Sequence, residues 1–228
     1  MQTGSMILEI LFEDEWLVAV NKPVGLVVHP TYKNVSGTLL DELRVRDPQA
    51  TFSLVGRLDK LTSGIVVVAK SGSVHAELQR IWPSVEKDYL AIVNGRVEPA
   101  RGEINLPLGT DPADRRRRIV RSDGAPSITQ YERVAGDGNC SILRCRPVTG
   151  RRHQIRVHLA AHGWPVLGDA VYGPPGGARL HRHALHALRL ILRHPITATP
   201  LRLEARIPDD LISLITARGL RLTSRLQL

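Results

Sequence analysis

Gly56-Arg57-Leu58-Asp59-Lys60-Leu61-Thr62-Ser63-Gly64 runs directly into Ile65-Val66-Val67-Val68-Ala69-Lys70, and this junction decides how the chain is read. The second half is apolar and rich in β-branched residues. It is too short for a stable helix and is bounded by Gly64 and Lys70, so it reads as a buried strand. The first half sets one carboxylate, Asp59, between Arg57 and Lys60 in a turn-forming setting of Thr, Ser and Gly. A lone acid in a loop at the mouth of a rigid strand is a common way to present a catalytic group. Taken alone, the same residues also describe a surface turn with an incidental ion pair.

Working outward, residues 7–20 read as a hairpin turning at Glu13-Asp14-Glu15, and Gly25–Pro30 as a short second extended piece. Ser36 is positioned to cap a helix through Leu39, Leu40 and Leu43, and Ser73 one from Val74 to Trp82. Lys87–Gly95 is a further strand, with Tyr89 on the face of Ala91 and Val93. Residues 99–126 show no stable period. They carry Arg115, Arg116, Arg117 and Arg118 in succession with Arg121 nearby, which is either a solvated loop or a clamp for a polyanion. Ser127–Val134 and Cys140–Arg146 form a hairpin, and a helix follows over about His153–His162. Tyr172-Gly173-Pro174-Pro175-Gly176-Gly177 marks a loop. Alternating residues at 188–193 and 201–207 form a last hairpin, before a helix capped by Asp209 or Asp210. Hairpins outnumber strand–helix–strand units, which predicts an α+β fold: a mixed, mainly antiparallel sheet with flanking helices. No repeat or linker divides the 228 residues, so a single domain over 1–228 is expected.

The 31 Lys+Arg against 22 Asp+Glu give a net charge of +9, and the pI is near 10.2. That surplus implies a polyanionic partner, nucleic acid before membrane, and Arg is the better residue for bidentate phosphate contact. Cys140 and Cys145 lie an odd offset apart in one strand, so they neither pair nor share a metal easily. Reduced cysteines, no signal-peptide pattern and no membrane-length apolar run point to a cytoplasmic protein.

Nine histidines raise the question of a metal, but neither cluster (His153, His158, His162; His181, His183, His186) has a metalloprotease spacing or an acidic partner. Ser63 lacks the nucleophile-elbow context, and no glycine-rich loop suits a nucleotide. No metal and no nucleotide cofactor are expected. What remains is Asp59, Tyr89 and Arg156, with Arg152, Arg156 and Leu159 on one face of the predicted helix. An Arg against a carboxylate keeps it ionised and directed. A Tyr offers a ring for stacking and a phenol for proton transfer.

These residues sit in blocks that resemble the RluA family of RNA pseudouridine synthases. Arg57-Leu58-Asp59 with Thr62-Ser63-Gly64 and Ala69-Lys70 is similar to the family's catalytic motif. Asn21-Lys22-Pro23 through His29-Pro30, Lys87-Asp88-Tyr89-Leu90-Ala91, Thr149 through Leu159 continuing to Gly168-Asp169 and Tyr172-Gly173, and Leu185-His186-Ala187 with His194-Pro195 resemble its other blocks in order. Two departures stand out. Gly56 stands where the family usually has His before Arg-Leu-Asp, and Gly-Arg-Leu-Asp is more typical of the related RsuA family. The first block also begins almost at once, so the S4 RNA-binding domain of many relatives is not expected.

The resemblance implies a pseudouridine synthase fold with its catalytic cleft across the sheet. It implies isomerisation of uridine to pseudouridine in ribosomal or transfer RNA, without a cofactor. The target base is flipped into the pocket. Asp59 then acts at ribose C1′ or C2′, and Arg156 pairs with Asp59. Tyr89 stacks on the base, Arg57 assists flipping and Leu159 packs near the uracil or in the core. From the charge pattern, Arg115–Arg118, Arg121 and Arg152 are expected to contact RNA. A monomer is the default. The competing readings are a catalytically silent RNA-binding protein on the same fold, and a glycosidase, for which no second acid motif is present.

Overall fold

The structure is a computed structural model that describes residues 8–30, 35–174 and 180–221. Ile7 and the loop residues 175–177 named above lie outside them. The chain forms two compact units. One takes the residues through Val85 together with Ala187–Arg206, and the other takes Glu86–His186 and the residues from Ile207 onward.

In chain order the first unit contains β1 (Glu9–Glu13), β2 (Leu17–Lys22), α1 (Leu39–Arg46), β3 (Ser53–Leu54), β4 (Ser63–Ala69) and α2 (Gly72–Ile81). The second begins with β5 (Glu86–Asn94), β6 (Arg101–Asn105), β7 (Leu108–Thr110), β8 (Arg118–Val120), β9 (Ile128–Gly136), β10 (Cys140–Pro147) and α3 (Gln154–Ala161). The chain re-enters the first unit along β11 (Leu185–Arg193), continues through β12 (Pro200–Glu204), and ends in the second with α4 (Asp209–Ala217).

In the first unit the strands run β1-β2-β4-β11, with β3 also on β4 and β12 on β11. Every residue of β4 is buried, as the unbroken apolar run requires. It pairs antiparallel with β2 in a register that matches Leu17 to Ala69 and Val18 to Val68. Ile65, Val67 and Ala69 point to one face, where Val74 and Leu78 of α2 join them in the core. Each such Val or Leu contributes about 1.5–3 kcal/mol on burial. Gly64 makes the close approach to β11 possible. It lies at φ +113°, and a Cβ there would sit 2.2 Å from the Ala187 carbonyl oxygen.

The second unit is a sheet in the order β5-β10-β9-β6, antiparallel at each pairing. A separate two-stranded ribbon, β7–β8, carries the arginine run at its turn. The mainly antiparallel α+β expectation holds.

Several boundaries differ from the sequence expectation for local reasons. Thr38, not Ser36, caps α1, because Thr38 and Asp41 complete a reciprocal capping box that Ser36 and Leu39 cannot form. Ser71, not Ser73, caps α2 through the amide of Val74. Pro208 stands at the N-cap of α4, and Asp209 and Asp210 lie in its first turn, where they suit the helix dipole. Gly25–Pro30 is a turn and loop, not a strand: Gly25 sits at φ +88°, and Val27 and Val28 give their carbonyls to the first amides of α1.

Candidate functional site

Asp59 occupies a half-buried turn closed by the hydrogen bond from Thr62 N to Asp59 O, 3.0 Å. The turn is tied down through its neighbour. The Lys60 carbonyl accepts from Gly25 N at 2.9 Å and from Lys22 Nζ at 3.3 Å. Lys22 is fully buried, and its ammonium also donates to the carbonyls of Pro23 (2.9 Å) and Leu26 (3.0 Å). A buried ammonium is costly unless it is bonded, so these carbonyls fix both loops around it. Leu58 is buried beneath the turn and Arg57 projects to solvent. Gly56 has a steric cause: a Cβ there would meet the Trp82 ring at 2.6 Å, so the indole fills the space a larger residue would need.

Tyr89 lies half-buried on β5, opposite Cys145 of β10. Both cysteines are buried and free, and burial pushes the Cys145 thiol up to about 12, which leaves it unreactive.

Arg156 is buried in the first turn of α3. Its Nε donates to Asp169 Oδ2 at 2.7 Å and its Nη2 to Asp169 Oδ1 at 2.8 Å. Burial raises the Asp169 carboxyl. The bonds and charge of Arg156, with the amides of Val171 and Tyr172, outweigh that and hold it below its ordinary 3.8. The helix begins without a side-chain cap on its N-cap residue, His153, which adopts a left-handed φ of +57°. Gln154 ties the helix start down in its place. Its Oε1 accepts from Thr149 Oγ1 and Arg151 N, and its Nε2 donates to Ile128 O and Thr129 Oγ1.

Arg152 therefore precedes the helix and is exposed, so it does not share a face with buried Arg156 as expected. Leu159 has no exposed surface, which fits the core role that the sequence also allowed. Residues 99–126, expected to be without regular structure, contain β6, β7 and β8.

Arg116 is forked to Asp114 at 2.9 and 2.9 Å, Arg121 is forked to Asp123 at 2.7 and 2.6 Å, and Arg117 lies 3.8 Å from Asp111. Arg118 folds back onto the carbonyls of Arg115 and Arg117, and Arg115 is exposed. Five arginines thus share their loop with three carboxylates. Tyr172, read from the sequence as part of a loop and of a family-like block but given no role, belongs beside them. Its ring centroid lies 5.0 Å from Arg156 Cζ and 5.8 Å from Arg117 Cζ. The available signal was its place in the Gly168-Asp169 and Tyr172-Gly173 block.

Two of the histidines serve the fold. His158 bridges Thr129 and the Leu106 carbonyl, and His194 lies beside the Asp14 carboxylate and accepts from two backbone amides. Among the described residues no three His, Cys, Asp or Glu side chains are grouped to hold a metal, and no helix is long and apolar enough to cross a membrane.

The family model for RNA pseudouridylate synthase matches residues 16–161, from the start of β2 to the end of α3. The chain belongs to this family. Relatives of this synthase include ribosomal large subunit pseudouridine synthase D of Nitrosomonas europaea, 41% identical over 95% of this chain and 67% of the relative. They also include the uncharacterized RNA pseudouridine synthase YlyB of Bacillus subtilis, 36% identical over 92% of this chain and 72% of the relative. Human RNA pseudouridylate synthase domain containing 4 shares its fold, with a TM-score of 0.78 at 24% identity and 95% coverage of both chains. The enzyme is an RNA-modifying isomerase that turns uridine into pseudouridine.

Proposed function

We propose that this synthase acts on uridine in large-subunit ribosomal RNA, with Asp59 as the catalytic carboxylate. The observation that carries the chemistry is the setting of Arg156. A buried guanidinium fixed through Nε and Nη2 along one edge is a preorganised cation. Substrate choice rests on the relatives named ribosomal large subunit pseudouridine synthase D. Transfer RNA is the other class implied by the resemblance.

The target nucleotide is flipped out of its stack, with Arg57 at the turn assisting. Asp59 acts on the ribose while the uracil–ribose C–N bond breaks. The base rotates and rejoins through C5, and the C5 proton leaves. Arg156 serves as the fixed cation of the reaction, and Tyr89 gives the base a stacking surface and helps move the proton. Arg115–Arg118, Arg121 and Arg152 hold phosphates. In this reading both units serve one catalytic domain that acts as a cytoplasmic monomer, without metal or nucleotide cofactor.

RNA carrying tritium at uridine C5 tests the chemistry. Wild-type enzyme releases tritium, whereas Asp59→Asn binds the RNA and releases none. Release by Asp59→Asn at the wild-type rate overturns the assignment. Mapping of pseudouridine in ribosomal and transfer RNA from a deletion strain tests the substrate.

A further inference from the structure

Tyr172 is placed by the turn that begins at Asp169. Asp169 Oδ1 accepts from the amides of Val171 and Tyr172 at 2.9 and 3.1 Å, and its carbonyl accepts from Gly173 N at 2.8 Å. The carboxylate that grips Arg156 therefore also shapes the backbone that carries the tyrosine. The ring lies within cation–π reach of Arg156 and of Arg117. At its tip the hydroxyl accepts from the backbone N–H of Arg118 at 2.9 Å and lies 2.7 Å from His153 Nδ1. One side chain thus touches the first residue of β8, the residue from which α3 springs, and the guanidinium in the first turn of α3.

The backbone beside it is strained. His153 holds a left-handed φ of +57° without being glycine, a costly conformation that persists only where the surroundings over-determine it. Its imidazole is held edge-on to the Tyr172 ring, with centroids 5.7 Å apart. A loop that needed only to be solvated would relax at this point.

We propose that Tyr172 is a positioning residue: it fastens the β7–β8 arginine ribbon to the first turn of α3, so that an RNA phosphodiester held by the ribbon is set in register with Arg156. This rests on the isomerase reading for its consequence in catalysis, though not for the docking itself. A ribbon that moved independently would hold RNA at many angles relative to α3. A docked ribbon offers one angle, and orientation of this kind is a large part of catalysis on a polymer.

Tyr172→Phe keeps the ring and removes the hydroxyl. In hydrogen–deuterium exchange of the free protein, the Arg118 amide is expected to exchange about tenfold faster, the loss of one hydrogen bond, with the β5–β10 amides unchanged. With tritiated RNA, KM is expected to rise about tenfold while kcat stays within about twofold, because the ring still supports Arg156. Tyr172→Leu, which removes the ring as well, lowers kcat in addition. In a chain with Arg115, Arg116 and Arg117 changed to Gln, Tyr172→Phe no longer alters KM. A fold defect alone would move kcat, KM and the melting curve together and would ignore the ribbon background. Wild-type exchange at Arg118 in Tyr172→Phe overturns the docking. An unchanged KM, or a KM effect of equal size in the neutralised ribbon, overturns the registration. Absence of tritium release by the wild-type enzyme overturns the isomerase reading instead, and the exchange comparison still decides the docking.

Discussion

Three of the Arg–Asp forks among the described residues of the second unit share nearly the same geometry and differ greatly in burial. Arg156–Asp169 has side chains 6% and 0% exposed, Arg116–Asp114 has 76% and 30%, and Arg121–Asp123 has 35% and 66%. Distances do not separate them, but the solvent does. An exposed pair is screened and contributes roughly 0–1 kcal/mol, so its cation can change partners at small cost. A buried pair cannot be opened without stranding a charge, and removing one partner costs about 3–5 kcal/mol. The same two residue types therefore make a fixed support at α3 and an exchangeable contact on the ribbon.

The comparison breaks most readily at Asp169. Asp169→Asn leaves a buried guanidinium short of its charge partner and is expected to lower stability in denaturant titration by about 3–5 kcal/mol. Wild-type stability in that variant would mean that burial does not distinguish the forks. The same pair sharpens the contrast through pH. Because the folded Asp169 carboxyl lies below its ordinary 3.8, its stabilisation is fully present above that value and is lost as the pH falls through the lower folded value. Denaturation midpoints measured downward from pH 5 should drop more steeply in the wild-type protein than in Asp169→Asn. The smallest effect on stability belongs to the ribbon. The bonds from Arg116 hold the exposed Asp114 carboxyl at about 2, so it is ionised at any working pH and competes with phosphate. Asp114→Asn and Asp123→Asn should leave the melting curve unchanged and tighten RNA binding. They should also steepen its salt dependence by roughly 0.7 in the log–log slope for each additional phosphate neutralised on single-stranded RNA.

Much of the first unit was legible in the sequence because its signals are local. An unbroken apolar run made β4, and alternating residues with turn chemistry made the hairpins. The turn that holds Asp59 before β4 was legible for the same reason. Errors arose where the cause is tertiary. A three-residue strand carries no period, so β7 and β8 were invisible inside the arginine segment. Continuing the helical spacing back to Arg152 failed because His153 turns left-handed and the helix starts one residue later. Asp169, 13 residues from Arg156, gave no sign that the two would be buried together. Tyr172 sat among glycines and prolines, and its place in a family-like block carried no hint of the contacts it makes. Gly56 looked like a departure from pattern until the Trp82 ring accounted for it.

Gly64 and its counterpart Gly168 have a practical consequence. Both lie at positive φ, and a Cβ on either would come within 2.2 Å of a backbone carbonyl oxygen, that of Ala187 or of Arg182. No L-amino acid other than glycine satisfies both conditions. In a saturation library scored by survival, these two sites would tolerate nothing and would be indistinguishable from the residues that handle the nucleotide, although neither has a side chain to offer it. A map of intolerance on this enzyme therefore outlines the packing of its backbone as well as its chemistry, and only assays that score folding separately from turnover can divide the two.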